Sequence, residues 1–162
     1  MSTVLNTNGQ QQPLPVPEGD FRFVIITADW NPDITHMLRD GAVETLRKAG
    51  VKGENIRLVN VPGTVELVNA AAFIKRSCNP DGIIVIGCVI RGDTPHFDYV
   101  CMQAAQGVAL LNAEGKTPVT FGVLTVDNLL QAQERAGGIL GNKGSEAACV
   151  AIEMANLHTG FK

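Results

Sequence analysis

The segment from Arg91 to His96, with the sequence RGDTPH, brings two charges, a hydroxyl and an imidazole together within six residues. It follows the apolar run Ile83–Ile86, which has no polar alternation and therefore indicates a strand buried on both faces. Thr94 and Pro95 are typical of the start of a helix. A buried strand thus leads through a polar turn into a helix, and open α/β sheets bind ligands at this end of their strands.

His96 is the candidate proton-transfer group of this turn. A helix N-terminus disfavours positive charge, which favours an imidazole that accepts a proton. Asp93 and Thr94 have two interpretations: they cap the helix, or they form an anion site together with its free N–H groups. An anion would need a cation, and Arg135 is the candidate, although a lone arginine is more often a surface charge.

Two further predicted strands end in groups suited to a ligand. Trp30 and Asn31 lie in the turn after the first strand, and the only tryptophan of the chain is either a core or interface anchor or a stacking platform for a flat ring. Its polar surroundings favour the platform. Pro62 and Gly63 form the turn after the second strand and let backbone N–H groups approach a ligand closely. Glu66, in the first turn of the helix that follows, either complements the helix dipole or accepts hydrogen bonds from ligand hydroxyls. Since parallel strands end at one edge, we expect all four predicted strand ends to form one site.

The elements that must position these groups alternate along the chain. Strands are predicted over 21–27, 55–61, from 82 onward and over 118–125, and helices over 34–49, 64–78, 95–112, 128–136 and 145–157. This alternation predicts an α/β fold, a three-layer α/β/α sandwich around a four-stranded parallel sheet. Residues 1–19 are polar and proline-rich, which predicts a flexible N-terminal arm, and residues 20–162 form one domain.

Composition excludes several classes of function. The 162 residues are 45% hydrophobic with a net charge of −3, which gives no basic face for nucleic acid. No apolar run approaches the ~20 residues that span a bilayer, and no signal pattern opens the chain, so we expect a cytoplasmic protein without membrane contact. The cysteines form no C-x-x-C pair and no metal-ligand spacing, which predicts reduced, mostly buried thiols and no metal: Cys78, Cys88, Cys101 and Cys149.

Four long motifs occur in an order that resembles the lumazine synthase family, the 6,7-dimethyl-8-ribityllumazine synthases. They are VPGTVEL, GCVIRGDTPHFDYV, FGVLTVDNLLQAQERAGG and GNKGSEAA, and the match runs from about residue 21 to 154. The resemblance implies a flavodoxin-like fold. It also implies the condensation of 5-amino-6-(D-ribitylamino)uracil with 3,4-dihydroxy-2-butanone 4-phosphate, which releases phosphate and water and needs no cofactor.

The resemblance also implies residue roles. His96 matches the general acid/base, Arg135 the cation for the phosphate, oriented by Glu134, and Asp93 and Thr94 the phosphate loop. Phe121 and Lys143 match residues supplied across a subunit boundary. The positions that match substrate-binding segments of the same subunit are Trp30, Asn31, Thr64, Val65, Glu66, Cys88, Val89 and Ile90. Trp30 stands where the family usually has phenylalanine, and its larger ring could bind the product or riboflavin more tightly.

The resemblance also bears on how copies of the chain assemble. The resemblance implies a homo-oligomer, a pentamer that some members pack into a sixty-subunit shell, with riboflavin synthase as a further partner. The short junction over 135–144 favours the shell, the prolines of the arm favour the free pentamer, and we expect the shell. Two other classes stay open, a non-catalytic flavin-binding paralogue and a flavodoxin-like FMN carrier. The turn Ala28–Trp30 argues against the carrier because it lacks a Ser/Thr-rich phosphate loop.

Overall fold

A computed structural model describes residues 13–161, which fold into three layers with a parallel sheet in the middle. The main sheet contains β1 (Phe23–Ala28), β2 (Ile56–Val61), β3 (Gly82–Ile90) and β4 (Val119–Val126). The helices are α1 (Pro32–Lys48), α2 (Glu66–Cys78), α3 (His96–Ala113), α4 (Leu129–Arg135) and α5 (Lys143–Thr159). A single 3-10 turn (Gly53–Asn55) precedes β2, and an antiparallel hairpin of β5 (Ala136–Gly138) and β6 (Gly141–Asn142) joins α4 to α5.

The sheet has the order β2-β1-β3-β4, and all its pairings are parallel. Phe23 of β1 aligns with Ile56 of β2 and with Gly82 of β3. The two central strands are buried as the apolar pattern predicted: every residue of β1 is buried, and Ile83–Ile86 are fully inaccessible. The predicted four-stranded parallel sheet is confirmed, with the strand order of flavodoxin-like folds.

Alternate residues of the central strands serve two separate cores. On one face, Ile25, Ile84 and Ile86 pack with Leu38 of α1 and Ile152 of α5. On the other face, residues of the same strands pack with α2 and α3, and this second core includes Ile26, Val85, Leu67 and Val108. Helices on both faces of the sheet confirm the predicted three-layer sandwich.

The glycine-rich segment before α5 serves helix packing. Asn142 caps α5 by accepting a hydrogen bond from the Ser145 N–H at 3.1 Å, and its amide donates to the Met37 carbonyl of α1 at 2.9 Å. A Cβ on Gly144 would lie 1.9 Å from the Leu38 carbonyl oxygen. Only a glycine lets the two helix backbones approach this closely.

Element boundaries differ from the sequence expectation where backbone detail decides them. Helix α1 begins at Pro32, two residues early, because Asn31 adopts the left-handed conformation with φ 58° and its carbonyl accepts hydrogen bonds from the N–H groups of Ile34 and Thr35. The β5–β6 hairpin was not predicted, since strands of two and three residues carry no hydrophobic pattern. Gly137 and Gly141, both at positive φ, lie within its two strands.

The last part of the predicted arm is held against α5. The Asn156 side chain donates to the Val16 carbonyl and accepts from the Glu18 N–H, each at 2.9 Å. Residues 1–12, which carry most of the predicted arm, lie outside the described residues, so the boundary at residue 20 stays a prediction. Within residues 13–161, no helix is both long and apolar enough to cross a membrane.

Candidate active site

A cavity of about 560 Å³ opens at the carboxyl edge of the sheet, over the ends of β1, β2 and β3. Its wall is completed by the first turn of α3. Ten of the residues predicted from the sequence line it: Trp30, Asn31, Thr64, Val65, Glu66, Cys88, Val89, Ile90, Thr94 and His96. The structure therefore brings three of the four predicted strand ends into one site.

Asn31 anchors the turn after β1 to the neighbouring strand β3. Its Nδ2 donates to the Cys88 carbonyl of β3 at 3.0 Å, and its left-handed backbone turns the chain into α1. Trp30, one residue earlier, lines the cavity yet remains 71% exposed. The indole is therefore not a core anchor, and its surface is available to a ligand or to another protein chain.

The turn after β2 presents a carboxylate and a hydroxyl. Glu66 is the first residue of α2, and its Oε2 lies so close over Gly63 that a Cβ there would be 3.0 Å away. No ion pair or hydrogen bond within the described part of the chain engages this carboxylate. Thr64 is buried against β3, where a Cβ on Gly87 would lie 2.9 Å from its hydroxyl oxygen. Glu66 is thus open to ligand hydroxyl or N–H groups.

The turn after β3 does not use its polar side chains as helix caps. Helix α3 begins at His96 with Pro95 as the N-cap residue, and no side chain caps it. The capping interpretation of Asp93 and Thr94 is therefore wrong. The Thr94 hydroxyl stays uncommitted within residues 13–161 and lines the cavity beside the exposed His96, whereas Asp93 lies outside the lining.

The cavity contains no lysine or arginine among its described lining residues. Arg135 ends α4, where its Nη1 donates to the Gln131 carbonyl at 3.0 Å and lies 3.6 Å from Glu134 Oε2. Lys143 starts α5 and forms an ion pair with Glu146 at 2.6 Å. Neither cation reaches the cavity of its own chain.

Phe121 also lies away from the cavity. It sits in the middle of the edge strand β4, 39% exposed, and lines a separate groove of about 370 Å³ between β4 and α5. The expectation that all four strand ends form one site is therefore wrong for β4. In the strand order β2-β1-β3-β4, β4 is the edge strand, and the cavity lies over the other three strand ends.

Cysteine chemistry plays no part in this site. All four cysteines are unpaired, as expected, but only Cys88 is buried, which corrects the expectation of mostly buried thiols. Burial raises the pKa of the Cys88 thiol to about 11, so this side chain stays neutral and belongs to the core cluster under α1 and α5. Its contribution to the site is the backbone carbonyl that holds Asn31. Among residues 13–161, no three His, Cys, Asp or Glu side chains converge as a metal site.

Three lining residues were missed from the sequence: Gly92, Phe97 and Val100. Phe97 and Val100 follow His96 in the first turns of α3, and their spacing could have shown that this part of the helix faces the cavity. Gly63, whose backbone was expected to approach a ligand, does line the cavity, whereas Gly92 gave no signal because a glycine contributes only its backbone.

The fold and the cavity together define an α/β protein with a ligand site at the carboxyl edge of its parallel sheet. A model of the 6,7-dimethyl-8-ribityllumazine synthase family matches residues 20–159. The chain is 52% identical to the 6,7-dimethyl-8-ribityllumazine synthase of Porphyromonas gingivalis over 143 residues, which cover 88% of this chain and 89% of the relative. It is 54% identical to the enzyme of the same name from Bacteroides fragilis over 133 residues, covering 82% and 93% of the two chains.

The chain belongs to the 6,7-dimethyl-8-ribityllumazine synthase family, and it is an enzyme. The motif resemblance is thereby confirmed, and the flavin carrier and the non-catalytic paralogue are set aside. Two of the four motifs, VPGTVEL and GCVIRGDTPHFDYV, supply residues of the cavity lining. FGVLTVDNLLQAQERAGG forms most of β4 with α4 and β5, and GNKGSEAA contains the close contact between α1 and α5.

Proposed function

We propose that the cavity condenses 5-amino-6-(D-ribitylamino)uracil with 3,4-dihydroxy-2-butanone 4-phosphate to give 6,7-dimethyl-8-ribityllumazine, phosphate and water. The observation that carries this proposal is the convergence of an exposed indole, a free carboxylate and a helix start with His96 around one cavity of about 560 Å³. These are the groups that a flat ring with a hydroxylated chain and a second, phosphorylated substrate require. The volume lies within the range of small-molecule sites.

The pyrimidine ring stacks on Trp30, with the backbone of Cys88–Ile90 along its edge. Glu66 accepts hydrogen bonds from the ribityl hydroxyls, and Thr64 and Val65 flank the same chain. Each assignment follows the lining of the cavity, where the β1 turn supplies the apolar face and the β2 turn the polar groups. Orientation of two substrates is the main source of rate in such a condensation.

His96 moves protons while the imine forms, phosphate leaves and the second ring closes. Its exposed position at the start of α3 gives the imidazole access to the reacting atoms beside the Thr94 hydroxyl. General acid/base catalysis of this kind contributes about 10²–10⁴-fold. The phosphate binds beside Asp93 and Thr94, next to the start of α3.

The site is completed by a second copy of the chain. The phosphate needs a cation, yet the described lining residues include none, while Arg135 and Lys143 lie outside the cavity of their own chain. Phe121 joins them from β4. Supplied by a neighbour, these three residues add an arginine, a lysine and a second aromatic ring to the same cavity. Arg135 is the freer cation, because it lies 3.6 Å from the Glu134 carboxylate whereas Lys143 is paired with Glu146 at 2.6 Å.

The exposed apolar surface supports self-association. Large apolar side chains project from α3, α4 and the β5–β6 turn, including Tyr99, Leu110, Leu130 and Ile139, which are 63–85% exposed. A single exposed apolar side chain is ordinary in a monomer, but this many exposed apolar side chains favour an assembly in which other copies of the chain bury them. A pentamer, assembled further into a shell, fits this requirement, with riboflavin synthase as a further partner and the cytoplasm as its location.

The test is the rate of lumazine formation from the two substrates, followed optically against the uncatalysed background. We expect acceleration by the wild-type protein, a sharp fall with Arg135→Ala and a smaller fall with His96→Ala. Arg76→Ala, an arginine of α2 outside the cavity lining, serves as the control and should keep the wild-type rate. A wild-type protein that gives no acceleration would contradict the proposal.

A further inference from the structure

Arg91 holds together three elements at the rim of the cavity. Its Nε donates to Asp127 Oδ1 at 3.2 Å, and its Nη2 lies 3.3 Å from Asp98 Oδ1 in the first turn of α3. The guanidinium also stacks on the ring of Phe97, with 4.1 Å between its central carbon and the ring centroid. Its backbone N–H donates to the Val126 carbonyl at 2.9 Å. One side chain thus joins the end of β3 to α3 and to the end of β4.

A chain of hydrogen bonds continues from Arg91 to Arg135. Asp127, which accepts from Arg91, donates its own N–H to Gln131 Oε1 at 2.9 Å. The backbone carbonyl of Gln131 in turn accepts a hydrogen bond from Arg135 Nη1 at 3.0 Å. The Arg91 side chain is therefore connected on one side to a wall of the cavity and on the other to the helix that ends in the proposed phosphate cation.

Arg91 does not fit the role of the phosphate cation itself. Two carboxylates, Asp98 and Asp127, already lie within 3.3 Å of its nitrogens, so its charge is balanced within the chain. It is also absent from the cavity lining. Its geometry suits a brace that pairs with one carboxylate on α3 and one after β4, and that stacks on Phe97 of α3.

We infer that Arg91 is a positioning residue for the proposed condensation: it sets the start of α3 against the cavity of its own chain, and α4 with Arg135 in the place where a neighbouring copy binds the phosphate. This inference rests on the proposed function. A planar guanidinium can bind two carboxylates while it lies flat on an aromatic ring, whereas a lysine ammonium bonds as a point charge. The requirement is therefore for arginine and not merely for positive charge.

The test compares the steady-state kinetics of Arg91→Met, Arg91→Lys and Asp127→Asn with those of the wild-type protein. Arg39→Met is the matched control, since Arg39 forms an ion pair with its neighbour Asp40 on α1, outside the cavity. A displacement of about 1 Å costs up to ~10²-fold in rate. For loss of this partly exposed brace we expect kcat to fall ~10-fold and KM for the butanone phosphate to rise several-fold.

The separation of the two KM values distinguishes positioning from general destabilisation. KM for the ribitylaminouracil should stay within about 2-fold of wild type in Arg91→Met, because Trp30, Thr64 and Glu66 stand on β1 and β2 turns that Arg91 does not touch. Arg91→Lys should recover only part of the loss. In the double variant, Asp127→Asn should add little to the kinetic loss caused by Arg91→Met, because both changes break the same link.

Each outcome bears on one proposal. Wild-type kinetics in Arg91→Met would overturn the positioning role, as would equal rises in both KM values or full recovery by Arg91→Lys. If Arg91→Met fails to assemble, as judged by light scattering, Asp127→Asn carries the same test with a near-isosteric change. An inactive wild-type protein would instead contradict the proposed condensation.

Discussion

Replacing Trp30 by alanine should weaken the binding of flat ligands and leave the protein folded. A tryptophan side chain offers up to about 250 Å², of which the 71% exposed fraction leaves roughly 180 Å² free. Stacking covers one ring face, about half of this area. At about 25 cal/mol per Å², this contact contributes ~2 kcal/mol, which corresponds to about 30-fold in affinity.

The assay uses riboflavin, a flat tricyclic ligand, as the probe. Since Trp30 is the only tryptophan, its quenching by riboflavin should saturate at low micromolar concentration in the wild-type protein. Flavin fluorescence polarisation then compares Trp30→Ala with Trp30→Phe, which retains a smaller ring and should lose only a few-fold.

Two results would refute the stacking argument. One is a dissociation constant for Trp30→Ala within about 3-fold of the wild-type value. The other is a loss of unfolding free energy well above ~2 kcal/mol in urea titration, because the buried remainder of the side chain, about 70 Å², accounts for no more than that. Such a loss would make the indole a structural anchor.

Three further predictions concern the scaffold. Gly144→Ala should lower the unfolding free energy by about 3 kcal/mol or more in urea titration, since its Cβ would meet the Leu38 carbonyl at 1.9 Å; Gly53→Ala, with nothing within 4 Å, is the control and should change little. Asn142→Ala should cost about 1–2 kcal/mol, because it removes the α5 cap and the bond to α1 together, and an unchanged urea midpoint would contradict that role. Burial raises the Cys88 pKa from 9.0 to about 11, so the unfolded chain loses this proton at lower pH than the folded protein does. Its contribution to stability should therefore be complete below pH 9 and disappear between pH 9 and pH 11. Urea titration should show that the unfolding free energy falls less between pH 9 and pH 11 in Cys88→Ala than in the wild-type protein. An equal fall in both proteins would contradict this effect of burial.

The sheet and its layers could be predicted because burial leaves a continuous mark on the sequence. Ile83–Ile86 admit no solvent-facing side, so a central parallel strand was the simplest interpretation, and the spacing of the helices then required crossovers. The hairpin after α4 left no such mark, because its strands are too short for a period. The role of Gly144 could not be predicted either, because it depends on the Leu38 carbonyl more than a hundred residues earlier in the chain.

The part of the site formed by turns at the ends of the strands could be predicted from the sequence. Trp30 lies in the turn after β1, and Glu66 and His96 directly follow the turns after β2 and β3, so the parallel order of the strands was enough to predict that these residues meet. The separation of the β4 end could not be predicted, because it depends on the strand order β2-β1-β3-β4, which the alternation of strands and helices along the chain does not reveal.

Complementation between two impaired chains tests most directly whether His96 of one copy and Arg135 of another copy form one site. His96→Ala and Arg135→Ala chains would be unfolded and assembled together, and lumazine formation compared with that of each variant assembled alone. Random neighbours place both intact residues at about a quarter of the interfaces, so the mixture should recover about a quarter of the wild-type rate. A mixture no more active than the mean of the two separate variants would contradict the shared site.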